Sequence, residues 1–106
     1  MSDSIKAALD TYTEFISSLN GVLQIYLFGS HAYGTPEDYS DIDLMVVIED
    51  SLDAFKTAFK IQRGLASRLV PLDVLVNNKS AFYGAAKDIT LQAQIKNEGI
   101  LLYERQ

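Results

Sequence analysis

Apolar residues return along this chain in two rhythms, one helical and one extended. Between residues 3 and 20, Ile5, Ala8, Leu9, Tyr12, Phe15, Ile16 and Leu19 recur every three or four positions behind Ser4 or Asp3, and Asn20-Gly21 follows. That spacing predicts an amphipathic helix with a left-handed stop at the glycine. Val22 to Phe28 is then almost continuously apolar, β-branched or aromatic, broken only by Gln24, as in a strand covered on both faces. Gly29-Ser30 ends it, a short Ala-containing segment follows, and residues 34 to 40 are turn formers. Ile42 to Ile48 reads as a second buried strand and Leu72 to Val76 as a third. Between these two, Leu52, Phe55, Ala58, Phe59, Ile61, Leu65 and Leu69 predict the apolar side of a helix capped by Ser51 and ending before Pro71. A helical stretch from about Ser80 to Glu98 is interrupted near Gly84, and the apolar run Ile100 to Tyr103 follows Gly99.

The order helix, strand, short helix, strand, helix, strand, helix, strand predicts an α/β or α+β domain. Its mixed sheet has about four strands, with helices packed mainly on one face. A chain of 106 residues with 48% apolar against 22% charged residues forms one domain over 1–106, able to fold alone or as a small homo-oligomer. No apolar run reaches the roughly 18 residues of a membrane span, and the first twenty residues lack a basic start and apolar block. The expectation is a soluble, cytoplasmic chain with no membrane partner.

Charge divides the chain. Residues 7–55 contain nine acids and no Lys or Arg, whereas residues 56–106 carry eight basic groups against four acids, for a net charge of -5. The balance argues against direct nucleic-acid binding. With no cysteine and the single histidine His31, disulfides, thiolate sites, zinc motifs and a His-based triad are excluded. A metal ion would have to be held by oxygen.

Oxygen ligands are present. Asp41 and Asp43 stand one residue apart at the entry to a strand, so the alternation of a strand sends both carboxylates to one side while Ile42 enters the packing. Two anions so close raise the pKa of one or attract a hard divalent cation such as magnesium. No frame through Asp38, Asp41 or Asp43 has the alternating ligands and sixth-position glycine of an EF-hand. Asp73 interrupts the apolar strand from Leu72 to Val76, where an unpaired carboxylate is costly. It pairs with Arg63 or Arg68, or, if its strand lies beside Ile42 to Ile48, it joins Asp41 and Asp43 in a three-carboxylate site of the kind that serves phosphoryl or nucleotidyl transfer. Gly29-Ser30, at the end of a core strand, is a place where backbone N–H groups can cradle phosphate oxygens, although such a pair is usually a plain turn.

The whole stretch from Leu27 to Val46, LFGSHAYGTPEDYSDIDLMV, resembles the signature of the polymerase-β-type nucleotidyltransferases, in particular the minimal nucleotidyltransferase (MNT) group. Gly29-Ser30, Gly34 and Ser40-Asp41-Ile42-Asp43-Leu44 carry the likeness, supported by Asp73 and the closing Glu98 to Tyr103. The resemblance implies that Gly29, Ser30 and Ser40 bind the nucleotide. It also implies that Asp41, Asp43 and Asp73 are the catalytic carboxylates and hold two Mg²⁺ ions, with Mn²⁺ as a substitute. Asp73 would activate the attacking hydroxyl. Where many minimal members carry arginines after Gly-Ser, this sequence has His31 and Tyr33, and His31 is read as a loop residue. The activity so implied is transfer of a nucleoside monophosphate, AMP from ATP, to a hydroxyl of a partner protein. Minimal members form the antitoxin half of HEPN-MNT toxin-antitoxin pairs, so a HEPN-type protein is the expected partner. Tyr33 and Tyr39, which flank the Gly34 to Ser40 loop, either anchor such a partner or pack against the sheet edge. Two alternatives stand beside this one: a non-catalytic binding module that masks such a partner by contact, and an enzyme acting on a small molecule.

Overall fold

The computed structural model describes residues 2–34, 40–66 and 70–106. Ser2 caps the first helix by accepting the Ile5 N–H, so helix α1 runs Asp3–Ser17, one or two residues ahead of the Ser4 or Asp3 cap expected from the sequence. Gly21, at φ 86°, turns the chain into strand β1, Val22–Phe28, the left-handed residue expected there. One helical turn, α2 (Ser30–Tyr33), follows, and strand β2 spans Ile42–Ile48. Helix α3 is Ala54–Gly64, capped by the Asp53 carboxylate, which accepts the Lys56 N–H; the cap is thus Asp53 and not Ser51. Strand β3 runs Leu72–Asn78, two residues longer than its apolar core because its ladder with β2 continues to Asn78. The last helical stretch is divided into α4, Lys79–Ala85, and α5, Leu91–Glu98, the latter capped by Thr90, before strand β4, Ile100–Glu104.

The four strands form one sheet in the order β3-β2-β1-β4, with β1 antiparallel to both neighbours and β2 parallel to β3. Alternation sends Ile42, Leu44, Val46 and Ile48 of β2 into the main core, where Ile5, Leu9, Tyr12 and Ile16 of α1 and Ile61 of α3 meet Ile25 and Leu27 of β1. Met45 and Val47 point the other way into a smaller cluster with Tyr26, Phe82 and Ile95. The two longer helices therefore cover one face and the short α4 and α5 the other, in a mixed α+β sheet of the expected size.

One expectation fails clearly. The spacing of Phe55 and Phe59 places them on the apolar side of α3, yet they are 83% and 62% exposed. The helix turns Ala54 and Ile61 into the main core instead, and Gly64 packs on the ring of Phe15. Among the described residues no helix is long and apolar enough to cross a membrane.

Candidate active site

The carboxylates converge because of the sheet register. Asp43 pairs with Asp73 across the parallel β2-β3 ladder and with Phe28 across the antiparallel β1-β2 ladder. Both acids share the face of Met45 and Val47, at the end of the strands where β1 gives way to Gly29. Gly29 is held at φ 76°, ψ -156°, a conformation open to glycine, and a Cβ there would lie 2.1 Å from Asp43 Oδ2. The Gly-Ser turn is thus in contact with the second acid of the strand.

Asp43 is half-buried, whereas Asp41 and Asp73 are exposed. Burial, then the Asp73 charge, then the Asp41 charge push the Asp43 carboxyl above its ordinary value, and His31 partly offsets them. Asp43 therefore senses both other acids. Asp73 is not the buried orphan its strand suggested: β3 is an edge strand and the carboxylate reaches solvent. Arg63 forms no ion pair with it; among the described residues the ion pair present is Arg105 with Glu49, 2.7 Å apart. Arg68 lies outside the described residues.

Ser30 opens α2, whose turn is closed by the Ala32 and Tyr33 N–H groups on the Gly29 carbonyl, at 3.0 and 3.2 Å. The first N–H groups of such a turn have no partner within it. His31 is buried within α2 and is not the loop residue expected from the sequence. Its Nε2 stands 2.9 Å from the Ser40 carbonyl, so the ring donates from Nε2, and Nδ1 is buried without a hydrogen-bond partner. His31 is the residue that sequence reasoning missed: it fastens the Gly-Ser turn to the backbone just before Asp41. A lone histidine between Ser30 and Ala32 carries no periodic signal, so only the tertiary packing discloses its role. Of the two tyrosines, Tyr33 is exposed and Tyr39 lies outside the described residues.

Asp43 and Asp73 bring carboxylate oxygens to one sheet face, the ligand chemistry that suits a hard divalent ion. Among the described residues no three carboxylate or imidazole groups stand as they would around a bound ion.

Residues 10–106 match the protein family described as polymerase beta, nucleotidyltransferase. No curated protein matches the sequence. Among solved structures, a candidate minimal nucleotidyltransferase is similar at 22% identity with a TM-score of 0.65, covering 92% of each chain. A mutant of the MntA-HpeT toxin-antitoxin is similar at 23% identity and TM-score 0.59, over 99% of this chain and 76% of that one. A toxin-antitoxin structure with AMP-PNP gives 22% identity and TM-score 0.54 over the same shares.

Proposed function

We propose that this chain, which belongs to the polymerase β nucleotidyltransferase family, transfers a nucleoside monophosphate, AMP from ATP, to a hydroxyl group on a partner protein and serves as the antitoxin of a toxin-antitoxin pair. The observation that carries the reading is the contact of the Gly29 turn with Asp43, itself in register with Asp73. A phosphate-cradling turn and a carboxylate cluster then share one mouth. The similar toxin-antitoxin structures, one of them with AMP-PNP, support a nucleotide and a protein partner. A HEPN-type partner rests on the resemblance to the MNT group.

In this reading Gly29, Ser30 and Ser40 bind the triphosphate, the N–H groups at the start of α2 meeting phosphate oxygens. Asp41, Asp43 and Asp73 would hold two Mg²⁺ ions, which supply charge neutralisation of the phosphates when bound. Asp43 is set by its packing on Gly29 and by its register with Asp73, so this acid is held in place before the nucleotide arrives. The acceptor oxygen forms a bond to the α-phosphorus while the bond from that phosphorus to the bridging oxygen breaks and pyrophosphate leaves. The hydroxyl proton passes to the Asp73 carboxylate, which is exposed and so open to an incoming acceptor. His31 holds the turn against Ser40 during the transfer.

Intact-mass spectrometry of the chain co-expressed with the product of its neighbouring reading frame tests this reading. The partner gains the mass of one or more AMP groups with the wild type and none with Asp41→Ala. If Asp41→Ala still neutralises the partner and the wild type adds no mass, masking by contact is the function and the transfer reading fails. A small-molecule enzyme would leave both the mass and the partner's activity unchanged.

A further inference from the structure

The outer face of α3 is aromatic and basic. Phe55 and Phe59 stand one turn apart, Lys56, Lys60 and Arg63 lie beside them, all five are exposed, and the helix contains no acid. Two phenylalanines in solvent on one helix form an apolar patch that a stable free surface seldom keeps. At the other side of the same sheet face, α1 and the edge strand β4 leave an open groove of about 450 Å³. Leu9, Leu27, Ile100 and Leu102 line it, and Asp10 and Glu14, one turn apart, stand on its rim with Lys6 on the preceding turn. Ile100 is 42% exposed at this edge. None of the charged groups of either surface is in an ion pair among the described residues.

We propose that these two surfaces are complementary halves of one interface and that the occupant of each is a second copy of this chain. Helix α3 packs beside β3 and α1 over β1 and β4, on the same face of a sheet ordered β3-β2-β1-β4. A two-fold axis running along the strands between them therefore lays α3 of each copy on the α1-β4 groove of the other. The contact occurs twice and closes, as a symmetric dimer requires. Phe55 and Phe59 enter the apolar groove while Lys56 and Lys60 meet Asp10 and Glu14, so the division of charge along the sequence becomes a matched pair of surfaces. Asp43 and Asp73 lie on the opposite sheet face, which leaves the proposed catalytic mouth open to a different protein.

Light scattering coupled to size exclusion, with sedimentation over a range of concentrations, tests the proposal on the chain alone. The wild type has twice the monomer mass of 11.8 kDa. Phe55→Ser with Phe59→Ser gives a folded monomer, since both rings are in solvent in the single chain. Asp10→Lys with Glu14→Lys dissociates the dimer, as does Lys56→Glu with Lys60→Glu, and joining the two charge reversals in one chain restores it. A wild type that stays at the monomer mass, or a dimer that survives loss of both phenylalanines, overturns the proposal. So does failure of the combined reversal to restore the dimer in a chain whose melting transition shows it folded. If that variant does not fold, the phenylalanine pair decides.

Discussion

Asp43 occupies the space that a side chain on residue 29 would need: a Cβ at Gly29 would lie 2.1 Å from Asp43 Oδ2 and 3.0 Å from its Cγ. The first prediction follows from this contact. Gly29→Ala must leave a conformation that L residues avoid, a strain on the order of 1–3 kcal/mol, and must also displace the Asp43 carboxylate. Thermal unfolding will show destabilisation of at least that size, with loss of ATP binding. The control is Gly84→Ala in α4, where a Cβ meets nothing within 4 Å and the helix should gain about 0.5–1 kcal/mol.

The second prediction concerns Asp43 and acid. Its carboxyl is raised above the ordinary 3.8, first by burial, then by Asp73 and Asp41. The folded chain thus keeps this proton at pH values where the unfolded chain has lost it. Stability contributed by the site is present in acid and is lost as pH rises through the raised folded value. Asp43→Asn removes the penalty, so the variant without metal should melt higher than the wild type at about pH 7, and the difference should shrink toward about pH 4. Melting curves across that range check it; a difference that grows toward acid would contradict the sign.

The helix and strand rhythms made most of this arrangement legible, and the reasons for the exceptions are specific. Strands β1 and β2 have in the structure the bounds their apolar runs suggested, since strands buried on both faces carry the strongest compositional signal. The paired aspartates were visible as a spacing, and their company with Asp73 as a condition on which strands are neighbours, a condition the β2-β3 ladder meets. Phe55 and Phe59 misled because a helix with apolar residues on two sides does not announce which side packs, and the side carrying Ala54 and Ile61 is the one that does. His31 was illegible because its hydrogen-bond partner, the Ser40 carbonyl, lies nine residues away in sequence.

The His31 tie can be separated from simple filling of space. Its Nε2–H bond to the Ser40 carbonyl, 2.9 Å long, is worth roughly 0.5–1.5 kcal/mol. His31→Leu should therefore lower the melting temperature and weaken ATP binding, because the Ser40 backbone beside Asp41 loses its tie to α2. His31→Gln keeps an N–H donor at a similar reach and should recover much of both. Equal losses in the two variants would mean that the ring's volume, and not its donor, holds the turn.

The last prediction addresses the cations. Burial first, then the charges of Asp73 and Asp41, push the Asp43 carboxyl above its ordinary value, so a cation beside it relieves a cost the folded chain carries. An ion that binds the folded form alone stabilises it by RT ln(1 + [L]/Kd), about 2.7 kcal/mol at a hundred times Kd. Mg²⁺ or Mn²⁺ should thus raise the melting temperature of the wild type, and Asp43→Asn should reduce that rise by removing one ligand and part of the repulsion. The nucleotide brings four further negative charges to an already acidic mouth, so ATP should bind poorly in the presence of chelator and measurably better with Mg²⁺. Calorimetric titration in the two conditions reads this directly. Equal ATP affinity in both, with a metal response unchanged in Asp43→Asn, would put the cation site away from Asp41, Asp43 and Asp73 and would overturn the two-ion reading of the mouth.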